Sequence, residues 1–161
     1  MTSIRPMANE AYPAFFENAV ESYAAQNVAG GRWRSEDAAD LARTETTRLL
    51  PQGLETPDNY VFDVVGAGDA RAVGYVWFAA APRGSIKIAF VVQVTIYREF
   101  QGLGHGKAAL ALVEKRAKEL GLAGMALHVF AYNKAARGLY ESAGYEVSSL
   151  NMIKPFGRSD T

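Results

Sequence analysis

The sequence has no cysteine and no excess of charge of either sign. Its 161 residues include 17 lysines and arginines and 17 aspartates and glutamates. The absence of cysteine excludes disulfides, thiolate metal sites and a cysteine nucleophile, and it is compatible with a reducing compartment such as the cytoplasm. The balanced charge gives no global field that would attract nucleic acid or an anionic membrane surface.

Long apolar runs are also missing. No stretch approaches the ~20 apolar residues that a membrane span requires, and residues 1–10, "MTSIRPMANE", lack the apolar core of a signal peptide. The length fits one compact domain and is short for two. We therefore expect one cytoplasmic domain over residues 1–161, with no nucleic-acid or membrane partner and no metal.

Hydrophobic periodicity predicts a mixed sheet flanked by about four helices. Helical spacing of apolar residues predicts helices over about 9–28 and 35–50, the second with Ser35 as its N-cap and Pro51 as its end. The β-rich runs on either side of "GAGD" (66–69) are typical of a hairpin. The predicted element order is β-α-α-β-β-β-α-β-α-β, which belongs to the α/β or α+β class.

A long strand is predicted over about 86–97. Its alternating residues should share one face of the sheet, and they are Ile86, Ile88, Phe90, Val92, Val94 and Ile96. The residues between them are also mostly apolar, which indicates a central strand that is covered on both sides. Further elements are predicted as a helix over 104–120, a short strand over 125–130, a helix over 133–142 and a final strand in "GYEVSSLNMIK" (144–154).

Three glycines lie between the long strand and the next helix, in "REFQGLGHGKAAL" (98–110). A glycine-rich turn before a helix leaves backbone N–H groups unpaired beside the positive end of the helix dipole, which favours phosphate binding. A Walker A loop is excluded because Gln101 stands at its first glycine position and Ala108 follows Lys107. A dinucleotide-binding fingerprint stays open as an alternative. It is the weaker one because the fingerprint expects an acidic residue after the next strand, and none is present there.

Two motifs together resemble the GCN5-related N-acetyltransferases (GNAT superfamily). Residues 101–106, "QGLGHG", resemble the acyl-CoA-binding motif Q/R-x-x-G-x-G/A of that family. Residues 133–147, "NKAARGLYESAGYEV", resemble its downstream motif N-x-x-A-x-x-L-Y followed by G-F/Y. The resemblance covers about residues 86–150 and implies a GNAT-like fold. In such a fold a mixed, mostly antiparallel sheet has a V-shaped splay between the strands at about 86–97 and 125–130.

The resemblance also implies an activity, namely acetyl-CoA-dependent transfer of an acetyl group to a primary amine of a small molecule or a protein. Tyr140 matches the general acid of the family, and a phenol can protonate a departing thiolate. Its alternative role is that of a core aromatic. The implied acetyl-CoA-binding residues are Val94 and Ile96 through their backbone, Gln101, Gly102, Leu103, Gly104, His105, Gly106 and Lys107 around the pyrophosphate, and Asn133, Ala136 and Arg137.

The long strand departs from the common family pattern, because it has no carboxylate before Glu99. Gln93 occupies a plausible inward position on the substrate side but cannot accept a proton as a base. His128, on the neighbouring strand, is a further substrate-side candidate, since histidine is the residue type that exchanges protons near neutral pH. A water chain is the simpler route for the proton. Residues 1–60 are expected to form the acceptor side, and Trp33 is a candidate to line it, although Trp33 could equally be a packing residue under the loop. Trp77 is expected to flank the acetyl end of the cleft.

Two further alternatives stay open from the sequence. The missing strand carboxylate is compatible with a non-catalytic CoA-binding module of the same fold. The last predicted strand could pair with a second copy at a sheet edge, so a homodimer is one arrangement that the sequence allows.

Overall fold

The computed structural model describes residues 1–68 and 70–157, which contain five β-strands and four α-helices. The strands are β1 (Ser3–Pro6), β2 (Asn59–Val65), β3 (Ala72–Arg83), β4 (Ile86–Ile96) and β5 (Met125–Leu127). The helices are α1 (Tyr12–Ala29), α2 (Ser35–Leu49), α3 (His105–Glu119) and α4 (Lys134–Ser142). None of these helices is long and apolar enough to cross a membrane.

The strands lie side by side in chain order, β1-β2-β3-β4-β5. The first three pairings are antiparallel and the pairing of β4 with β5 is parallel. The predicted hairpin is confirmed, because β2 and β3 pair antiparallel across the turn at residue 66. Only the last pairing needs a crossover, which α3 supplies, so the sheet is mixed and mostly antiparallel as expected.

Apolar side chains cover both faces of the sheet. On one face, β2, β3 and β4 pack against the buried stripe of α3, which consists of Ala109, Val113 and Ala117. On the other face, Phe15 of α1 meets the rings of Tyr75 and Trp77 edge-on, at centroid distances of 4.9 and 5.9 Å. The prediction that β4 is covered on both sides is therefore confirmed.

A β-bulge in β4 corrects the predicted alternation of that strand. Trp77 pairs with Gln93 and Phe78 pairs with Val91, so that Val92 has no partner of its own in β3. The extra residue changes which residues share a face. Ala89 and Val91 consequently pack on the α3 face together with Val94 and Ile96, whereas Val92 packs on the α1 face.

The helix ends agree with local chemistry to within a few residues. Pro13 lies in the first turn of α1, where its missing N–H costs no hydrogen bond. The N-cap of α2 is Arg34 and not Ser35, which is the first helical residue. Arg34 Nη2 lies 2.7 Å from Asp37 Oδ2, so this pair, and not a hydroxyl cap, occupies the first turn.

The predicted final strand is wrong for this structure. Residues 145–156 are described, and they contain no helix or strand. The strand β5 is also shorter than expected and ends at Leu127. A segment becomes a strand only when a neighbour accepts its backbone hydrogen bonds, and residues 145–156 have no such neighbour in the described part of this chain.

Candidate functional site

The glycine loop between β4 and α3 presents free backbone donors. Gly102 and Gly104 have φ angles of +79° and +86°, and a Cβ atom at either position would meet no atom within 4 Å. The first helical hydrogen bond runs from Ala108 N to Gly104 O, at 3.1 Å. Within the described chain, the N–H groups of residues 102–107 donate to no backbone carbonyl. The loop is therefore exposed, uncluttered and electropositive, as a site for phosphate requires.

The side chain of Gln101 ties this loop to the end of β4. Its Nε2 donates a hydrogen bond of 2.9 Å to the carbonyl of Ile96. The carbonyl oxygen of Ile96, which was expected to contact the pantetheine arm, is therefore already hydrogen-bonded within the protein. Of the two expected backbone contacts on β4, Val94 remains available.

The gap between β4 and β5 matches the predicted V-shaped splay. The two strands pair only at Ala89–Met125, Phe90–Ala126 and Val91–Leu127, after which β4 continues to Ile96 without β5 beside it. Tyr97 N donates to Val73 O on β3 at 2.8 Å. Because antiparallel pairs alternate in their bonding, the backbone groups of Val94 and Ile96 point away from β3 and into this gap.

His105 begins α3, but its side chain is directed away from the glycine loop. Its Nδ1 lies 3.0 Å from Thr2 Oγ1, and its Cε1 would lie 3.3 Å from a Cβ atom on Gly66. The imidazole therefore attaches the start of α3 to the N-terminal strand and to the β2–β3 turn. Of this residue, only the backbone N–H belongs to the loop.

Tyr140 lies on α4 and lines a cavity of about 50 Å³ together with residues that directly follow β5. Its ring meets that of Tyr145 edge-on, at a centroid distance of 5.8 Å. Burial raises the pKa of the Tyr140 phenol above its usual value of 10.0. The hydroxyl is therefore a proton donor throughout the neutral range.

Three more of the predicted residues line the same cavity as Tyr140, namely His128, Asn133 and Ala136. Asn133 is the N-cap of α4, since its Oδ1 accepts a hydrogen bond of 3.2 Å from Ala136 N. His128 follows β5 instead of lying within it, is exposed, and meets the ring of Phe130 edge-on at 4.8 Å.

Arg137 and Lys107 lie outside that cavity. Arg137 is half-buried on α4, and Lys107 is exposed in the first turn of α3. Leu103 is exposed in the glycine loop, and Gly106 lies under Leu139, whose Cδ2 would be 3.6 Å from a Cβ atom there. A methyl group at position 106 would therefore make ordinary van der Waals contact with Leu139.

Two of the residues predicted to line the acceptor side are buried in the core. Trp77 is 1% exposed, and its Nε1 donates a hydrogen bond of 2.8 Å to Asn59 Oδ1. Gln93 is also buried, and its Nε2 donates to Ala19 O at 2.9 Å while its Oε1 lies 2.8 Å from the Tyr75 hydroxyl. Both side chains are thus fully occupied in holding α1 to the sheet and do not line an open cleft.

Trp33 is half-buried just beyond the end of α1. Its ring meets that of Tyr23 edge-on at 5.2 Å, and the guanidinium of Arg32 lies 5.6 Å from its centroid. It fills the connection between α1 and α2, which is the packing role that the sequence left open.

Sequence reasoning missed four residues that line the cavity beside Tyr140, namely Gln26, Val129, Phe130 and Tyr132. The rings of Phe130 and Tyr132 are stacked at 5.8 Å and 8°. Their spacing of two residues in "HVFAYN" (128–133) was a signal for a shared face. Gln26 gave no signal, because its approach depends on how α1 packs across the sheet.

No carboxylate side chain lines this cavity. Glu99 lies in the short 3-10 turn Arg98–Phe100 and is exposed. No group of three or more His, Cys, Asp or Glu residues within 1–68 and 70–157 could hold a metal ion. The described groups therefore offer proton donors and anion-binding amides near the gap.

Comparisons with known proteins agree with this geometry. The sequence profile of the Acetyltransferase (GNAT) family matches residues 16–145. The uncharacterized N-acetyltransferase YycN of Bacillus subtilis (strain 168) is 34% identical over 151 residues, which cover 94% of this chain and 96% of YycN. The uncharacterized N-acetyltransferase YdgE of the same organism is 31% identical over 152 residues, with the same coverage of 94% and 96%.

Solved structures give the same result. The crystal structure of the putative acetyltransferase YycN superposes with a TM-score of 0.90 at 33% identity, and the match covers 97% of this chain and 99% of that one. A putative acetyl transferase from Pyrococcus furiosus has the same fold, with a TM-score of 0.71 at 24% identity and coverage of 97% and 100%. The sheet, the glycine loop and the helix bearing Tyr140 are thus parts of an enzyme that belongs to the acetyltransferase (GNAT) family.

Proposed function

We propose that this protein transfers an acetyl group directly from acetyl-CoA to a primary amine of a small molecule or a protein. The observation that carries the proposal is the convergence of three features on one gap in the sheet. The free amides of residues 102–107 lie at one end, the unpaired backbone of β4 follows, and Tyr140 lies at the opening.

The glycine loop fits the pyrophosphate of acetyl-CoA. Its N–H groups are free, and the Cβ atoms that Gly102 and Gly104 lack would stand in the exposed space in front of them. The exposed ammonium of Lys107 adds positive charge at the start of α3. We assign the pyrophosphate to these groups and the pantetheine arm to the backbone of Val94 together with Asn133 and Ala136, which line the cavity of Tyr140. We assign the outer, 3′-phosphate end of the molecule to Arg137.

The proposed reaction needs one bond to form and one to break. The neutral amine nitrogen of the acceptor attacks the thioester carbonyl, a C–N bond forms and the C–S bond breaks. The departing sulfur takes the proton of the Tyr140 hydroxyl, and the proton released by the amine passes to water. Tyr140 then regains its proton from solvent, so atoms and charges balance over a turnover.

The acceptor amine is proposed to arrive along α1. Asn18, Ser22 and Gln26 are four residues apart and therefore lie on one stripe of this helix. Asn18 Oδ1 lies 2.7 Å from the Tyr75 hydroxyl and 3.4 Å from Ser22 Oγ, and Gln26 lines the cavity with Tyr140. Uncharged oxygens on this stripe can accept hydrogen bonds from an amine without holding it in its unreactive charged form.

A non-catalytic CoA-binding role is the second candidate, and the absence of a carboxylate from the cavity favours it. The two candidates share the co-substrate and differ in turnover. A cytoplasmic location is part of the proposal. The sequence has no cysteine and so forms no disulfide, which is compatible with a reducing compartment.

Calorimetric titration of the purified protein with acetyl-CoA tests the first step, with NAD as the control ligand. Saturable binding of acetyl-CoA and no heat with NAD are expected, and the reverse result would support the dinucleotide reading. A screen of primary amines that follows released CoA with a thiol reagent tests turnover. The protein itself contributes no background to this assay because it contains no cysteine. Binding without turnover on any amine would favour the non-catalytic role.

A further inference from the structure

The hydroxyl of Tyr75 has one proton and two acceptor atoms within reach. Its oxygen lies 2.7 Å from Asn18 Oδ1 on α1 and 2.8 Å from Gln93 Oε1 on β4. Both distances are those of a hydrogen bond, but a phenol can donate only one. One of the two contacts is therefore a pair of oxygens with no proton between them. Tyr75 is fully buried, so bulk water does not relieve that contact.

The amide of Gln93 is held in one orientation. Its Nε2 donates a hydrogen bond of 2.9 Å to the carbonyl of Ala19, and both residues are buried. A half-turn of this amide would bring Oε1 against the Ala19 carbonyl, and two acceptors would then meet there. Gln93 must therefore present its oxygen to Tyr75, and the phenol proton is donated to Gln93.

The amide of Asn18 is free to turn. Asn18 is half-buried, and its other side-chain hydrogen bond is a long one, 3.4 Å from Ser22 Oγ. Within residues 1–68 and 70–157, Asn18 Nδ2 makes no hydrogen bond, yet no buried side-chain nitrogen or oxygen lacks a partner, so Nδ2 reaches solvent. A half-turn exchanges the two amide atoms, so that Nδ2 donates to the Tyr75 oxygen and Oδ1 takes the solvent-facing place. Each acceptor in this chain of contacts then has one proton.

The solvent-facing place lies on the face of the sheet from which an amine can approach. Tyr75 pairs with Thr95, which belongs to the part of β4 that continues beyond β5. The helix α3 covers the opposite face of the sheet, and α1 lies over the face that carries Tyr75. Asn18 therefore stands beside the open stretch of β4, along which the pantetheine arm is proposed to lie.

The oxygen of Asn18 has uncharged groups on its sheet side, namely Tyr75 and Gln93. Two carboxylates lie near it in sequence on α1, Glu17 and Glu21, and both are exposed. Glu17 is ion-paired with Arg43 of α2 at 2.6 Å. A neutral carbonyl oxygen accepts a hydrogen bond from an amine without raising the pKa of that amine, as a carboxylate would. The bound amine can therefore stay in the neutral form that attacks a thioester.

We propose that Asn18 Oδ1 accepts a hydrogen bond from the acceptor amine, and that buried Tyr75 and Gln93 hold the Asn18 amide with its oxygen outward. Tyr75 and Gln93 are positioning residues, because they act through Asn18 and do not touch the amine. The role toward the amine rests on the proposed transferase function. The orientation of the amide is a property of the folded protein alone, so it can be tested without any ligand.

The orientation is tested first, by NMR spectroscopy of the protein without ligand. The side-chain NH2 signal of Asn18 is assigned by its disappearance from the spectrum of Asn18→Ser. We expect nuclear Overhauser contacts between this NH2 group and the ring protons of Tyr75, and slow exchange of one of its protons with solvent. The NH2 group of Asn9, an exposed asparagine, is the control. An Asn18 NH2 group that exchanges as fast as that of Asn9 and shows no contact with Tyr75 overturns the proposal.

The role toward the amine is tested with an amine that the protein acetylates. Asn18→Ala should raise the KM of that amine about fivefold, which corresponds to one neutral hydrogen bond, and should leave the Kd of acetyl-CoA unchanged. Tyr75→Phe should raise the same KM with little change in kcat, because it releases the Asn18 amide. Asn18→Asp should move the acid limb of the kcat profile to higher pH, because a carboxylate holds the bound amine in its charged form. Asn9→Ala is the matched control and should change none of these values.

Two kinetic results would overturn the role of Asn18 and leave the proposed function intact. One is turnover with an amine KM that Asn18→Ala leaves unchanged, and the other is a pH profile of Asn18→Asp that coincides with that of the unaltered protein. Binding of acetyl-CoA without turnover on any amine would overturn the proposed function, and the role of Asn18 toward the amine with it. The NMR measurement decides the orientation of the amide in either case.

Discussion

Gln101 Nε2 donates a hydrogen bond of 2.9 Å to the carbonyl of Ile96, so the first residue of the glycine loop is tied to the last residue of β4. The two parts of the proposed acetyl-CoA site, the phosphate-binding amides and the open strand, are thereby held in one relative position. The side chain of Gln101 is not part of the core, since Gln101 is exposed.

Gln101→Ala is therefore expected to weaken acetyl-CoA binding and not the fold. Loss of one neutral hydrogen bond corresponds to about 1 kcal/mol, or roughly a fivefold rise in Kd. Calorimetric titration measures this rise, and thermal unfolding should show an unchanged midpoint. Gln52→Ala, at an exposed glutamine after α2, serves as the control. An unchanged Kd for Gln101→Ala would show that this side chain does not contribute to acetyl-CoA binding.

Gly104 and Gly121 form a matched pair at the two ends of α3. Their φ angles are +86° and +78°, and a Cβ atom on either would meet nothing within 4 Å. Alanine at each position should cost a similar 1–2 kcal/mol of unfolding free energy, about the strain of a left-handed residue. Only Gly104→Ala places a methyl group before the free amides, so only this variant should lose acetyl-CoA affinity. Equal affinity losses would contradict the assignment of the loop.

Tyr140→Phe should lower kcat by about 100-fold, which is the lower end of the contribution of general acid catalysis. The Kd of acetyl-CoA should change little, because the ring stays in place against Tyr145. Tyr145→Phe is the control, since its hydroxyl is 3.7 Å from a methionine sulfur and has no proposed role in transfer. Single-turnover measurement with a saturating amine separates the chemical step from binding. A kcat lowered equally in both variants would count against Tyr140 as the acid.

Gln93→Leu should destabilise the fold by about 2–3 kcal/mol. The change removes the Gln93 donor from the buried Ala19 carbonyl, which keeps only its hydrogen bond within α1, and it leaves the Tyr75 hydroxyl without one of its two partners. Urea denaturation measures the loss. The double variant Gln93→Leu/Tyr75→Phe should lose less unfolding free energy than the sum of the losses in the two single variants, because both changes remove the same hydrogen bond. Strict additivity would show that the two side chains do not interact.

Stability should fall at alkaline pH because of Tyr75. Burial raises the pKa of this phenol to about 12 from its usual 10.0. The folded state thus binds the proton more tightly, so the contribution is complete below pH 10 and is lost as the pH rises to about 12. The loss is on the order of 2 kcal/mol. Unfolding free energies across this range should decline less in Tyr75→Phe than in the unaltered protein, and parallel curves would contradict the assignment.

The parts of the fold that were predictable are those that local chemistry determines. The glycine loop, the cap at Asn133 and the hairpin between β2 and β3 depend on residues close together in sequence. The gap between β4 and β5 and the place of Tyr140 required two motifs in register with known relatives, since neither follows from periodicity alone.

The parts that sequence reasoning missed depend on distant neighbours. The bulge at Val92 depends on the pairing of Trp77 and Phe78, so the alternation in β4 continues through it without a visible break. Gln93 and Trp77 were placed at a cleft because polar and amphipathic side chains often line one. They are buried because α1 packs on the sheet there, with Phe15 against Trp77 and the Ala19 carbonyl bonded to Gln93. The final strand was predicted from composition, but a strand also needs an edge.

The short ladder between β4 and β5 has a thermodynamic consequence. Three residue pairs are the whole of the strand pairing that attaches β5 to the rest of the sheet. Residues 125–157, including α4, are therefore expected to open at a lower free energy than that of global unfolding. A ligand that bridges the gap binds only the closed arrangement and so opposes that opening by mass action. The same gap that admits a co-substrate thus makes the order of α4 depend on how much co-substrate is present.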